Sequence, residues 1–387
     1  MWLGSGIINA DGALWKAQRK AGLHFLNNAN LQFLTEVALP RYLRRAVKSL
    51  QDVAHDVVVD LENVFNELTT QLMGHMAYGM DMHADDPFSL AFDYASAATG
   101  NRFQNPLWSI TELFFGLKFR RSVAVVKRFG RQIVANAVTS RAIEKPCEDL
   151  SQEDILSGSL INSLLDSIPD HEVVADAALN FLTAGRDTTG QTLTWTFYLL
   201  MRHPSVILKI RKEVDDLVNN AGENHVEGLS LPMIRPSSLP FTMAVLYESL
   251  RLYPPIPFEI RQCVESTTLP DGTFLPKNAV LVWCLWAMNR SELIWGADPQ
   301  DFRPERWIDE GRLVNKSAFE FPVFNGGPRA CLGKKMAESI AVMAIATLIW
   351  EFDFSAVDQK ERISKNSLTL PMEDGLPCRV RKRKATV

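Results

Sequence analysis

The 387 residues are 47% hydrophobic and 22% charged, the balance of an ordinary globular protein with length for a large core, which excludes global disorder. A formal net charge of -4 offers nucleic acid no basic footprint. The five cysteines, Cys147, Cys263, Cys284, Cys331 and Cys378, are scattered and form no CxxC pair, which argues against a disulfide framework or a zinc site and for a reducing compartment.

The opening MWLGSGIINADGALWKAQRK has no long apolar run behind a charged leader, so it does not read as a signal peptide. No segment approaches the ~18 unbroken apolar residues of a membrane span. From Trp15 to about Met82 apolar residues recur at helical spacing, as in Leu61, Val64, Phe65, Leu68 and Leu72. Trp15 and Arg19 share one helical face, and by themselves read as a packing or cation-π pair. Residues 83 to 170 alternate helical runs with polar breaks. Arg102, Phe103, Pro106, Trp108, Phe114 and Phe115 lend the middle of this stretch an apolar character that suits either core or the wall of a binding pocket. Glu144 to Pro169 reads as an exposed connection around one short apolar turn.

Val173 to Met201 is apolar on nearly every face and predicts a buried central helix. Its middle carries Gly185, Arg186, Asp187, Thr188, Thr189 and Gly190, which weaken a helix. Either the helix is opened there to bind something, or it stops near Gly185 and restarts after Gly190. A helix from Val206 to about Val218 and a loop from Asn219 to Gly228 follow. Phe241 to Leu252 predicts a further helix with Glu248 and Arg251 one turn apart, by themselves an ordinary surface pair. From Ile256 to Trp286 the pattern changes to short extended runs, notably Ala279 to Leu285, with a turn at Pro270-Asp271-Gly272. Trp295 to Trp307 is irregular. Ser367 to Val380 reads as a hairpin turning at Asp374-Gly375, and Arg381 to Lys384 as a solvated tail. No internal repeat is present.

Phe324 to Gly333, FNGGPRACLG, sets Cys331 in a constrained turn just before the apolar run Met336 to Trp350. A cysteine at a helix N-terminus is favoured as thiolate, a ready metal ligand.

In this order the segments resemble the cytochrome P-450 family of haem-thiolate monooxygenases. FNGGPRACLG fits the pattern F-x-x-G-x-R-x-C-x-G at every fixed position, and ESLR, FRPERW, AGRDTT and WKAQR match the family's other motifs. The resemblance implies a mainly α fold with small β-sheets, as one haem domain over residues 1–387. It implies haem b with Cys331 as the axial iron ligand, Phe324 and Gly333 in the haem-binding loop, and Arg329, Trp15, Arg19 and Arg261 on the propionates. Gly327 and Gly333 then let the backbone approach the porphyrin. Glu248, Arg251 and Arg306 become a buried structural network, and Asp187 with Thr188 the acid-alcohol pair that delivers protons to oxygen, Gly185 making room for dioxygen.

The segments AGRDTT followed by W-x-F-Y-L-L, AFDYASAATGNRFQNPLW and IWGADPQDFRPERW resemble the branch hydroxylating fatty acids and alkanes at or near the chain end. By position, Phe103, Ala184, Pro257, Phe258 and Leu370 are the expected substrate pocket. The resemblance also implies O2 and an NADPH-dependent reductase as partners, with a full-length form held at the cytosolic face of the endoplasmic reticulum membrane. It begins late: family members reach WKAQR after an anchor and the first sheet strands, so a truncated chain with an open sheet edge and weak haem binding is expected. The alternatives are a haem-thiolate isomerase or dehydratase working without reductase, and a non-catalytic remnant.

Overall fold

Helical apolar spacing covers most of the sequence, and helices dominate what it folds into, with small antiparallel sheets at the periphery. The computed structural model describes residues 3–53, 57–102, 105–142, 158–220 and 236–383. The first half contains α1 (Gly12–Phe25), α2 (Asn28–Phe33), α3 (Leu39–Gln51), α4 (Leu61–Met73), α5 (Pro87–Asn101), α6 (Trp108–Phe115) and α7 (Leu117–Ala142). Then follow α8 (Ser159–Ser167), the 32-residue α9 (His171–Arg202), α10 (Pro204–Asn220) and α11 (Pro240–Leu252). The long helix after the Cys331 loop, α14, spans Lys334–Glu351, with the short α12 (Leu285–Met288) and α13 (Glu292–Trp295) between.

Sequence signals explain the boundaries. Asp170 caps α9 by accepting from the N–H of Glu172 at 2.9 Å, and Pro204, which opens α10, lies just beyond its end. Asp60 does the same for α4. α9 and α14 are buried along most of their lengths and form the centre of the core, with α4, α7, α8, α10, α11 and α14 all packed on α9. Nothing but tertiary packing tolerates so apolar a helix in water.

The β structure differs from expectation in three places. β1 (Val58–Asp60), β9 (Pro377–Lys382) and β8 (Phe352–Ala356) form one antiparallel sheet with β9 in the middle. The expected turn at Asp374-Gly375 is present, both residues having positive φ, but β9 does not fold back on Ser367. It pairs with β8 over five residues and with β1 over three. Arg381 and Lys382 therefore belong to a strand and not to a solvated tail. The region after the Pro-Pro turn forms β2 (Phe258–Gln262) and β5 (Val280–Cys284), with Phe258 opposite Cys284 and Gln262 opposite Val280, around the small β3–β4 pair. A fourth small ladder joins β6 (Ile308–Asp309) to β7 (Arg312–Leu313).

Part of the expected exposed connection is core: Leu160, Ile161 and Leu164 of α8 are buried. Cys147 and the rest of that stretch to residue 157 lie outside the described residues. No helix among the described residues is long and apolar enough to cross a membrane.

Candidate functional site

The Cys331 loop turns because two of its residues leave ordinary backbone space, Asn325 with φ 58° and Gly327 with φ 64°. Gly327 is a glycine for that reason. Gly333, at φ -84°, has no such need, and a Cβ there would meet only the Cys331 Sγ at an ordinary 4.0 Å. The Cys331 N–H donates to Phe324 O at 2.8 Å, closing the loop. The N–H groups of Gly333 and Lys334, at the start of α14, point at the sulfur. They do not make the free thiol acidic. Crowding around the sulfur raises its pKa, although the residue as a whole is exposed, and the two N–H groups and Arg19 offset this only in part. Helix position by itself therefore does not lower the Cys331 pKa, contrary to the sequence expectation.

Trp15, Arg19 and Arg329 come together although more than three hundred residues separate them. The Arg329 guanidinium lies 4.7 Å from the Trp15 ring centre and that of Arg19 lies 5.4 Å from it. Arg19 donates to Ala330 O at 3.0 Å, and Arg329 donates to Ala10 O at 2.9 Å and pairs with the Asp11 carboxylate. Arg261, on β2, is placed differently. It pairs with Glu259 at 3.1 Å and stacks on Trp283, while Glu259 also accepts from Asn325 of the Cys331 loop at 2.8 Å. Glu259 thus ties β2 to the loop. Sequence reasoning missed it, and its position two residues before Arg261 on the same strand face was the available signal.

The Glu248 network is the most completely satisfied polar cluster of the region. Arg251 grips Glu248 through two bonds of 2.8 Å, both side chains being fully buried. Arg251 also donates to the carbonyls of Asn289, Pro299 and Asp301, and so pins the irregular stretch to α11. Arg306 reaches Glu248 at 3.3 Å and donates to Trp295 O. Two members were not foreseen: the Trp307 indole donates to Glu248 at 2.9 Å, and so does the Arg303 N–H.

α9 runs unbroken through Gly185 to Gly190, so neither an opened nor an interrupted helix is present. The threonine hydroxyls bond i-4 carbonyls without displacing the ladder: Thr188 to Ala184 O at 2.6 Å, Thr192 to Thr188 O, Thr194 to Gly190 O. Gly185 admits α4, since a Cβ on it would fall 2.4 Å from the Met73 Sδ. Asp187 is buried and paired with Arg186 at 3.0 Å, and Arg186 also binds Asp93 of α5 at 2.8 Å and Thr70 at 3.0 Å. Burial, with Asp93 adding, raises the Asp187 carboxyl to about 7 against the pull of Arg186. Burial alone would lower Arg186, but its two carboxylates outweigh that and raise it.

Between Ala177 and Leu200 the only residues of α9 that are not buried are Ala184, Gly185 and Thr188, spaced so as to share a face. An otherwise buried helix therefore opens along one narrow strip of small residues. Of the other expected pocket residues, Phe258 is exposed on β2 and Pro257 half-buried, its carbonyl accepting from the Trp286 N–H. Leu370 is buried, its backbone clamped to α9 by Gln191 and by the Trp195 indole. Phe103 lies outside the described residues.

A thiol with two N–H groups trained on it, a guanidinium-indole-guanidinium stack beside it, and a strip of small residues opened on a buried helix suit a flat metal macrocycle bearing carboxylates. Comparison with known proteins agrees. The family described as "Cytochrome P450" matches residues 1–378. "Cytochrome P450 CYP94D109" of Paris polyphylla is 32% identical over 404 residues, covering 98% of this chain and 78% of the relative. "Cytochrome P450 86B1" of Arabidopsis thaliana is 31% identical over 398 residues, 97% of this chain and 70% of the relative. "Noroxomaritidine synthase" of a Narcissus is 32% identical over 396 residues, 98% and 76%.

Proposed function

This chain belongs to the cytochrome P-450 family, and from that premise we propose that it hydroxylates a fatty acid or alkane at or near the chain end. Family membership makes it a haem-thiolate monooxygenase that incorporates oxygen from O2, with electrons from a redox partner and a hydrophobic substrate. The finer reading rests on one observation, the accessibility of Ala184 and Thr188 on an otherwise buried helix. Small side chains there suit a slender chain end better than a broad ring.

Haem iron with a thiolate ligand supplies the activation of O2 and the cleavage of its O–O bond. In our reading Cys331 would be that ligand, steadied by the N–H groups of Gly333 and Lys334, and Arg329, Trp15, Arg19 and Arg261 would hold the propionates. Arg329 and Arg261 are paired with Asp11 and Glu259 and would share their donors between these carboxylates and the propionates. The Phe324 carbonyl, accepting from the Cys331 N–H, closes the loop that carries the sulfur. Thr188 presents a hydroxyl at the open strip. Asp187, with a carboxyl near neutrality, can both hold and release a proton at physiological pH, and Arg186 with Asp93 keeps it supplied with a charged neighbour. Glu248, Arg251 and Arg306 hold the stretch before the loop and take no part in chemistry. An NADPH-dependent reductase as the electron donor, and the endoplasmic reticulum surface as the place of work for a full-length form, belong to the same reading.

The test supplies the haem-loaded chain with reductase, NADPH and dodecanoate. Terminal or near-terminal hydroxydodecanoate is expected. A preparation with the strongly red-shifted ferrous carbon monoxide band that hydroxylates neither fatty acids nor alkanes would overturn the substrate class, and persistence of that band in Cys331→Ala would overturn the ligand.

A further inference from the structure

A second cavity, of about 740 Å³, opens where the C-terminal part of α9 meets the end of α11 and α12. It shares no residue with the Cys331 loop, although Leu370, one of the expected substrate-pocket residues, lines it; the α9 residues that line it, Trp195 and Leu199, lie roughly 10 to 17 Å along the helix from Thr188 at 1.5 Å per residue. Its lining is mixed, with an aromatic and aliphatic wall on one side and Gln300, Asp301, Glu361 and Arg362 among its polar groups. Trp195 and Tyr253 stack in parallel, centroids 4.1 Å apart at 5°, Trp286 meets Tyr253 edge-on at 5.6 Å, and Leu252 and Leu370 complete the surface. The rings are fixed in place: the Trp195 indole is anchored on Leu370 O at 2.8 Å, so it cannot swing in to fill the space.

Two arginines line the cavity, Arg290 and Arg362. The Arg290 guanidinium lies 3.4 Å from the Trp286 ring centre and 5.6 Å from that of Tyr253. A guanidinium carries five N–H donors. Among the described residues Arg290 makes one hydrogen bond, to Trp286 O at 3.3 Å, and no ion pair. The other arginine lining the cavity, Arg362, is already held by Asp358 at 3.0 Å. Asp301 and Glu361 also line the cavity, but both are exposed and neither pairs with Arg290. The surroundings disfavour the unpaired charge, and burial, with Arg251 adding, lowers Arg290 to about 10. Arg290 is half-buried, whereas the fully buried Arg251 and Arg186 spend their donors on carboxylates.

We propose that this cavity is a second binding site, for a monocarboxylate with an apolar body: the body against the Trp195–Tyr253–Trp286 walls and the carboxylate on the fork of Arg290. The volume lies within the range that encloses molecules of that size. Guanidinium and carboxylate match in a two-bond fork, and bringing them together in an aromatic, partly desolvated site strengthens the pairing. An alkyl and an aryl body satisfy the same walls, and the test separates them.

Calorimetric titration of the haem-loaded chain with dodecanoate and with 2-naphthoate is compared with the uncharged dodecanol and 2-naphthalenemethanol, while the haem absorption band is followed in parallel. At least one carboxylate should bind without moving that band, about tenfold or more tightly than its alcohol. Arg290→Gln should erase the preference, and Arg290→Lys should weaken it several-fold, because a point charge replaces the fork. Whichever carboxylate keeps the preference identifies the body. Equal binding of acid and alcohol by the unaltered chain, unchanged preference in Arg290→Gln, or binding that tracks the haem band step for step would each overturn the site. The first comparison needs no variant, so it stands even if Arg290→Gln fails to fold. The haem band reports the substrate slot and calorimetry the sum of both sites, so carboxylate heat without a band shift is the signal of the second cavity; this site can therefore fail while the hydroxylase reading stands, and the reverse.

Discussion

Asp187 carries the most informative charge of the candidate site. Its neighbours were readable one by one, since AGRDTT sets arginine, acid and alcohol side by side, but the carboxyl owes its raised pKa to burial and to Asp93 on another helix. Asp187→Asn keeps the shape and removes the titration. It is expected to lower product formation on the order of a hundredfold while leaving the carbon monoxide spectrum intact, with a flatter pH profile between 6 and 8, read from turnover at several pH values. The same group affects stability with a definite sign. A carboxyl raised from 3.8 to about 7 favours the folded state fully below its unfolded pKa, and that contribution is lost as pH rises through about 7. The urea midpoint should therefore fall more between pH 5 and pH 7.5 in the unaltered chain than in Asp187→Asn. Glu62 and Glu338, also raised by burial, act equally in both and cancel.

At the scale of elements, two contacts decide whether the site's frame holds. α9 meets α4 at Gly185, where even a methyl group would collide with Met73. Gly185→Ala is expected to destabilise by about 1–3 kcal/mol through overpacking, partly offset by the better helix propensity of alanine, and denaturant unfolding measures the balance. α11 meets the irregular stretch through Glu248, whose carboxylate serves Arg251, Arg306, Trp307 and the Arg303 N–H together. Glu248→Gln leaves Arg251 a buried uncompensated charge, at roughly 3–5 kcal/mol. Trp307→Phe keeps an aromatic ring but removes the donor and part of the buried indole's volume, so about 2–3 kcal/mol is expected. Both should appear as lost haem content at fixed protein concentration before any change in the ratio of products.

For the molecule as a whole, the β2–β5 ladder is the exposed liability. Phe258, Ile260, Val280 and Val282 are all more than a third exposed, and Phe258, Ile260, Val280 and Val282 share one face by register. Apolar strands of this kind promote association. Light scattering of concentrated chain should show growth with concentration that Val282→Lys reduces, the lysine being placed on an already exposed position.

The Cys331 turn as a candidate metal ligand, the buried α9 and the helical character of the chain were legible in the sequence, because each is written in a local spacing that physics reads without long-range help. The burial of the Glu248–Arg251 pair, and the pairing of Trp15 with Arg19 and of Asp187 with Thr188, were expected only once several such segments stood in family order. Other features depend on contacts between segments far apart in sequence, and only the tertiary structure decided them. Tertiary packing keeps α9 continuous where its composition argues for a break, burial raises the pKa of Cys331 and Asp187, and β9 pairs with β8 and not with the nearer Ser367 stretch. Trp307 on Glu248 and the unpaired Arg290 in its aromatic box belong with them. Local spacing determines which side chains share a helix face or a turn, while desolvation, partner choice and the fit of one helix against another exist only after the chain has folded.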